Sequence, residues 1–337
     1  LNLLQDEQPE SARLAEIEML AREAIDDDPE NVQAWVALGY HGLHSGDLAG
    51  ARDAADRAIR LDPEGHTGYT LRGTVLLDED RVDEGLANLR QAVSLAGPDT
   101  GARLVLAYTL WKLGRNNEAA GEYEKVLRYN PDSPAALNNL GAIYGQQGRL
   151  LDAIPLLRHL LELSDDADAA HNLANCYFYS DRLEEALQAY QKVLEIDPDN
   201  TLAPHGLAET YEKLGDHDQA MHFFDRAVTA YDDYLAEADD DAQMLGLRAV
   251  CAAKLGRYDE AMANIESAER LAPGMGDVLF NAAQVYAIAD SRDETLAYIE
   301  RAIEAGYARQ EFERDLAFTG FRDDPDFRSV LESAARP

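Results

Sequence analysis

Lysine, cysteine and long apolar runs are all scarce in this chain of 337 residues. Each of these scarcities argues against certain kinds of partner, compartment or fold. Five lysines and 25 arginines stand against 64 aspartates and glutamates, so the formal net charge is −34. Such a charge repels nucleic acid phosphates and anionic membrane surfaces at long range. No apolar run reaches the length needed to cross a bilayer. We therefore expect neither a nucleic-acid partner nor a membrane partner.

The acidity itself has three explanations, which the sequence leaves open. A high net charge keeps a protein in solution in a salty cytoplasm, where salt screens the repulsion between molecules. A GC-rich genome would produce a similar bias towards arginine over lysine. Selection of a basic partner is the third explanation, although the acidic residues are spread over the whole chain rather than confined to one stripe.

Cys176 and Cys251 are the two cysteines, and they occupy the same position of a repeating unit, where a small buried apolar side chain fits. They are too far apart in the sequence to form a disulfide bond if each unit contacts only its neighbours. Free thiols favour a reducing, cytoplasmic compartment. Because the sequence begins at Leu1 and not at Met, a processed N-terminus and a periplasmic location stay open.

The strongest pattern is a unit of 33 or 34 residues, clearest between Pro134 and Asp199. A small residue in the first helix of each unit recurs at intervals of 34, 34, 34, 33, 34, 41 and 34, at Gly39, Gly73, Ala107, Gly141, Ala174, Ala208, Ala249 and Ala283. A second small residue recurs with the same intervals, from Ala51 to the degenerate Thr295. Both positions must be small where the two helices of a hairpin cross closely.

Glycine and proline mark the ends of the predicted helices. Glycines at the turn between helices are expected to adopt positive φ, and prolines after the second helix prevent its continuation. The turn glycines are Gly46, Gly114, Gly148, Gly215 and Gly256, with Asp181 in the same place, and the prolines are Pro29, Pro63, Pro98, Pro131, Pro198 and Pro273. Apolar residues three and four apart between these marks predict amphipathic helices.

Taken together, the Leu-small-x-x-Tyr pattern, the turns and the Asp-Pro endings resemble the tetratricopeptide repeat (TPR) family. The resemblance implies an all-α fold, a right-handed α-α superhelix of about eight helical hairpins with an N-terminal half repeat and a C-terminal cap. It covers nearly the whole chain. The tail, with Asp324, Pro325 and Phe327 before a short final helix, is similar to the end piece of many bacterial TPR proteins.

We divide the chain into four parts on this pattern. Residues 1–31 form a half repeat or cap, of which residues 11–28 are a lone second helix. Residues 32–241 hold units that start near 32, 66, 100, 134, 167 and 201, and end in a long acidic connection at 229–241, where the second helix is lengthened by two turns. Residues 242–309 hold the last two units, and residues 310–337 cover the apolar face of the last hairpin.

In the TPR family, ligands usually contact the concave face formed by the first helices, and the resemblance implies a peptide-binding groove there. Amides suit this task because an asparagine side chain offers both donors and an acceptor to a peptide backbone, and aromatic side chains supply apolar anchors. Each aromatic residue could instead pack between helices. The predicted groove residues are Tyr108, Trp111, Asn138, Asn139, His171, Asn172, Asn175, Phe178, Tyr179, His205 and Glu209.

Other chemistries have weak support in the sequence. The family has a version that grips a C-terminal carboxylate with lysine, asparagine and arginine, but the matching positions hold Asn138, His171 and Asn175, so this mode is not expected. His171 and His205 occupy equivalent positions in adjacent repeats, about 10 Å apart by helix packing, which is long for a shared metal ion. We expect no metal, no cofactor and no catalytic residues.

The sequence thus favours a non-catalytic scaffold that binds a protein or peptide in its concave groove. Two alternatives stay open. One is a structural module that self-assembles into a homo-oligomer through its terminal repeats. The other is the regulatory arm of an enzyme whose catalytic part lies elsewhere.

Overall fold

The computed structural model describes residues 10–238 and 240–333, and these residues form 19 α-helices, one 3₁₀ helix and no β-strand. The predicted all-α architecture is therefore confirmed. Two compact units divide the chain, Leu1–Leu163 and Ser164–Pro337, which we call the N-terminal and the C-terminal unit. The predicted borders at 241 and 309 stay predictions. The parts of the predicted half repeat and end segment at 1–9 and 334–337 lie outside the described residues.

The N-terminal unit consists of a single helix followed by four helical hairpins. Its helices are α1 Glu10–Asp27, α2 Val32–Ser45, α3 Leu48–Leu61, α4 His66–Asp78, α5 Val82–Ala96, α6 Gly101–Lys112, α7 Asn116–Tyr129, α8 Pro134–Gln146 and α9 Leu150–Leu163. Each even-numbered helix pairs with the next helix to form a hairpin, and α1 packs against α2. The lone second helix predicted at residues 11–28 is thus present as α1.

The C-terminal unit consists of four hairpins and a shorter terminal segment. Its helices are α10 Ala167–Tyr179, α11 Leu183–Ile196, α12 Ala203–Leu214, α13 His217–Glu237, α14 Ala242–Lys254, α15 Tyr258–Leu271, α16 Gly276–Ile288, α17 Arg292–Glu304, α18 Arg309–Arg314, the 3₁₀ helix Leu316–Phe321 and α19 Pro325–Ser333. α13 has 21 residues and α11 has 14, so α13 is longer by about two turns.

The turn chemistry also follows the prediction. All five turn glycines adopt positive φ, from 71° to 79°. Asp80, Asp181 and Asp290 take the same place in the remaining hairpins, with φ of 59°, 59° and 58°. Aspartate tolerates this left-handed conformation better than most residues, because its short side chain can bond to the local backbone.

Small residues at the helix crossings are required by the packing. At Gly73 in α4, an added Cβ would lie 2.8 Å from Leu89 and 3.1 Å from the carbonyl oxygen of Gly85 in α5. In most other hairpins the small residue at this crossing is alanine. Ala107 and Ala174 are examples, and both are fully buried. Cys176 and Cys251 are free and buried, as predicted for core thiols.

The segment of residues 309–333, which we call the C-terminal cap, closes the last hairpin with aromatic side chains. Phe312, Phe318 and Phe327 are at most 2% exposed and pack against α16 and α17. Arg292 at the start of α17 binds Asp324 through Nε at 2.6 Å and Asp326 through Nη2 at 2.6 Å. In the described residues of this segment, aromatic side chains thus pack against the last hairpin.

Candidate functional site

In the N-terminal unit, the predicted groove residues lie on α6 and α8. Tyr108 is 46% exposed, and its ring lies 5.7 Å from that of Trp111. Asn139 donates from Nδ2 to the hydroxyl of Tyr123 in α7 at 3.0 Å. Its amide is therefore already engaged in packing between adjacent hairpins. Asn138 precedes it on α8 and is half-buried.

In the C-terminal unit, the first helices α10, α12, α14 and α16 surround a cavity of about 800 Å³. Six of the seven residues predicted for this unit line the cavity, and the seventh, Asn172, lies on α10 without lining it. The six are His171, Asn175, Phe178, Tyr179, His205 and Glu209. The volume falls in the range of ligand pockets in proteins, about 300–1,000 Å³.

The aromatic residues at the end of α10 differ in accessibility. Phe178 is 9% exposed, and the ammonium of Lys213 lies 4.0 Å from its ring centre. Tyr179 is 56% exposed and meets Phe178 edge-on, with ring centres 5.3 Å apart. Phe178 is therefore chiefly a packing residue, and Tyr179 is the aromatic side chain of this pair with surface left for a ligand.

Asparagine and tyrosine pair across the hairpin at the next position. The hydroxyl of Tyr190 in α11 donates to Oδ1 of Asn175 at 2.6 Å. This bond fixes the orientation of the amide, because Oδ1 is the acceptor and Nδ2 the donor. Asn139 and Asn175 thus both contact a tyrosine from a second helix, and the sequence pattern did not predict these two partners.

His205 and Glu209 lie one turn apart on α12, at the floor of the cavity. His205 is 8% exposed, and its Nδ1 is 2.9 Å from the hydroxyl of Tyr231. Its Nε2 lies 3.8 Å from Oε1 of Glu209, which is too long for a direct hydrogen bond. Burial lowers the pKa of His205 to about 4, with a smaller effect from Lys254. Histidine is therefore neutral here at pH 7.

Glu209 has the opposite shift. Burial, and then repulsion from Asp315, raises the pKa of Glu209 to about 7. Its side chain keeps 37% of its surface exposed, because it faces the cavity. No group of three or more histidine, cysteine, aspartate or glutamate side chains in the described residues is arranged to hold a metal ion.

The C-terminal cap supplies a wall of the cavity that the sequence pattern did not reveal. Glu311, Arg314 and Asp315 of the cap line the cavity, and Tyr307, just before the cap, lines it as well. Gln284 in α16 donates from Nε2 to Oδ2 of Asp315 at 2.7 Å and ties the cap to the first-helix face. The sequence predicted a capping segment. It did not predict that residues 307–316 lie beside the cavity.

The geometry defines an α-helical hairpin-repeat protein with a cavity on the first-helix face of its C-terminal unit. Models of the tetratricopeptide repeat match residues 17–66, 132–199, 177–251 and 242–274, and a TPR repeat model matches 107–148. The chain belongs to the TPR family. Family membership supports a role in protein interaction.

Curated relatives share the repeats at low identity. DnaJ homolog subfamily C member 3 from Bos taurus is 25% identical over 285 residues, which cover 78% of this chain and 56% of the relative. Small glutamine-rich tetratricopeptide repeat-containing protein 2 from Mycosarcoma maydis is 34% identical over 93 residues, 27% of this chain and 26% of that protein. The chain thus spans about half the length of the DnaJ homologs it matches.

Solved structures agree on the fold. A chain of the APC/C hetero-tetramer Cut9-Hcn1 superposes with a TM-score of 0.55 at 19% identity, over 74% of this chain and 46% of that chain. PilF of Pseudomonas aeruginosa superposes with a TM-score of 0.51 at 17% identity, over 61% and 97%. These similarities support an all-α superhelical repeat fold. Separately, none of the helices described here is both long and apolar enough to span a membrane.

Proposed function

We propose that this chain is a non-catalytic scaffold that binds an extended or short helical segment of a partner protein on its first helices, and that the cavity of the C-terminal unit is part of the binding surface. The observation that carries the proposal is the lining of this cavity. It combines exposed Tyr179, the oriented amide of Asn175 and several charged side chains on helices of a TPR array. Aromatic anchors surrounded by polar groups are typical of peptide-binding surfaces.

The name of one relative supports this proposal. Anaphase-promoting complex subunit 3 from Schizosaccharomyces pombe, which is 22% identical over 202 residues, is named as a subunit of a complex. A formal charge of −34 disfavours nucleic acid and anionic membranes as the partner. The partner is therefore a protein or peptide, and the predicted contacts of Tyr108, Trp111, Asn138 and Asn172 with it stay part of the proposal.

Replacing Tyr179 by alanine should weaken peptide binding by about thirtyfold, because it removes an exposed aromatic anchor of a kind that often contributes about 2 kcal/mol. Twelve-residue peptides selected from a random displayed library on the wild-type protein serve as probes, and fluorescence anisotropy measures their dissociation constants. Tyr258→Ala is the matched control, since Tyr258 is 42% exposed at the start of α15 and does not line the cavity. Equal affinities for both variants would refute the site.

Self-association is a second candidate, favoured by one observation on α1. Ile17, Met19 and Leu20 are 44%, 59% and 52% exposed, while Ala21 on another side of the helix is 4% exposed and faces the array. Ile17 and Leu20 are three residues apart and so share one face. A second copy of this chain could cover that face by placing its own helix there.

If α1 mediates self-association, the double change Ile17→Glu and Leu20→Glu should convert an oligomer to a monomer, because it places two charges in an apolar contact. Multi-angle light scattering measures the mass. Leu151→Glu is the control, since Leu151 is 82% exposed on α9 of the same unit. A wild-type protein that is already monomeric at high concentration rules this candidate out.

A further inference from the structure

The cavity of the C-terminal unit is richer in carboxylates than in cationic side chains. Seven acidic residues line it, namely Asp181, Glu209, Glu212, Asp277, Glu311, Glu313 and Asp315. Four cationic residues line it, namely Lys213, Lys254, Arg314 and Arg322. A concave site with this excess of negative charge attracts a positive group more strongly than a flat surface would.

The four cations are engaged with protein groups. Lys254 binds Glu212 at 2.7 Å, and Lys213 lies over the ring of Phe178. Arg322 donates to the backbone carbonyls of Arg314 and Asp315, at 3.4 and 3.3 Å. Arg314 pairs with Glu311 at 3.8 Å. These contacts leave other carboxylates of the cavity without a cation.

Glu209 and Asp315 are the half-buried carboxylates of this group, whereas Asp181, Asp277 and Glu313 are exposed. Among the described residues, no lysine or arginine nitrogen lies within 4.0 Å of either side chain. Asp315 accepts hydrogen bonds from Gln284 and from the backbone N–H of Ala317, at 2.7 Å each, and both donors are neutral. The pKa of each carboxyl is raised chiefly by burial, and the two repel each other through space. A bound cation would relieve both effects.

A buried histidine nitrogen points to the same place. His205 is 92% buried and lines the cavity, and its Nε2 has no hydrogen-bond partner among the described residues. Buried polar atoms without a partner cost free energy and are rare in proteins. Nε2 lies 3.8 Å from Oε1 of Glu209, a carboxylate that lines the cavity.

Aromatic side chains complete the surroundings of these polar atoms. Burial raises the pKa of the Tyr179 hydroxyl, and the negative charges of Glu209, Glu311 and Asp315 raise it further. Tyr307 stacks on Phe280 with ring centres 4.4 Å apart. Carboxylates beside aromatic rings suit an organic cation, which gains both ionic and cation–π attraction. A metal ion fits less well, because the carboxylates of the described residues do not converge on one point.

We propose that this cavity is a subsite for one basic side chain of the bound peptide, and that the side chain is an arginine whose guanidinium reaches Glu209 and Asp315. The inference rests on the proposed function and adds the chemical class of partner to it. Arginine fits better than lysine, because a guanidinium is planar, weakly hydrated and able to bond two carboxylates while stacking on an aromatic ring.

N-acetyl-arginine methylamide and N-acetyl-citrulline methylamide are the probes that test the subsite. They have the same shape, and only the arginine derivative carries a charge. Chemical shifts of the histidine and tyrosine rings in the full chain, followed by NMR, report on binding. We expect the arginine derivative to bind about tenfold more tightly than the citrulline derivative, since hydrogen bonds between charged groups are about twice as strong as neutral ones.

Glu209→Gln should abolish most of that preference, because it removes the charge and keeps the shape. Glu184→Gln is the matched control, since Glu184 is exposed in the first turn of α11 of the same unit and does not line the cavity. Equal binding of the two probes to the wild type, or an unchanged preference in Glu209→Gln, would overturn the proposal.

The library peptides separate this inference from the proposed function. If their binding depends on Tyr179 and they carry arginine at one fixed position, with the lysine analogue weaker, both proposals stand. If binding depends on Tyr179 but no basic residue recurs, the groove stands and the basic subsite is wrong. If no peptide depends on Tyr179 while the arginine derivative still prefers the cavity, the subsite stands and the peptide groove is wrong.

Discussion

Replacing Phe318 by alanine is expected to lower the free energy of unfolding of the C-terminal unit by ~3–5 kcal/mol, the usual range for a fully buried phenylalanine. Phe318 is completely buried, with ring centres 5.4 Å from Phe312, 6.0 Å from Phe280 and 6.2 Å from Phe327. Its removal would leave a void between the C-terminal cap and α16. Urea unfolding followed by amide hydrogen exchange in α16 to α19 measures the loss.

Leu316→Ala is the control for this experiment. Leu316 begins the same 3₁₀ helix but is 38% exposed, so its truncation should cost less than about 1 kcal/mol. Fluorescence gives an internal reference, because both tryptophans, Trp35 and Trp111, lie in the N-terminal unit. If Phe318→Ala and Leu316→Ala lose the same stability, the cap does not hold the last hairpin as the packing indicates.

The C-terminal cap contributes both to the stability of the last hairpin and to the lining of the cavity. The same segment that buries Phe312 and Phe318 presents Glu311, Arg314 and Asp315 to the cavity. A variant that loosens the aromatic cluster should therefore also disturb the wall opposite α10 and α12. The packing of the last hairpin and the lining of the cavity thus depend on one segment, since Phe312 of α18 is buried while Glu311 and Arg314 of the same helix line the cavity.

The repeat length made most of the fold predictable. Two small-residue positions at common intervals placed every hairpin, and the interval of 41 located the longer α13. Glycine marked five turns directly. The turns at Asp80 and Asp290 escaped prediction, because an aspartate adopts positive φ only when the surrounding helices impose it. The sequence therefore predicted a turn wherever the residue type alone, such as glycine, determines the backbone conformation.

The site was less predictable, because it depends on contacts between helices. Helical spacing placed Asn139, Phe178 and His205 on the first-helix face. It could not show that Asn139 bonds Tyr123, that Phe178 lies under Lys213, or that His205 is buried against Tyr231. Nor could it show the wall formed by Asp315 and its neighbours. Such pairings follow from three-dimensional packing of side chains, which a periodic pattern does not specify.

Acid should destabilise the C-terminal unit through His205, by ~3 kcal/mol between pH 7 and pH 4. The pKa of this imidazole is lowered from 6.5 to about 4 in the fold, so the unfolded chain binds its proton first as the pH falls. The contribution is fully present above pH 6.5 and is lost as the pH falls through 4. Glu209 acts in the opposite sense, since its raised pKa favours the fold as the pH falls below about 7.

Comparison with His205→Gln isolates the histidine, because Glu209 is present in both proteins and its effect largely cancels. The wild type should be more stable than the variant at pH 7, where Nδ1 bonds Tyr231, and this advantage should shrink by about 3 kcal/mol by pH 4. Hydrogen exchange in α12 and α13 reports the difference, and His217→Gln, at an exposed position of α13, is the control. If the stability advantage of the wild type stays constant from pH 7 to pH 4, the imidazole of His205 accepts a proton in the fold as readily as it does in water. In that case burial does not lower its pKa, and the prediction is wrong.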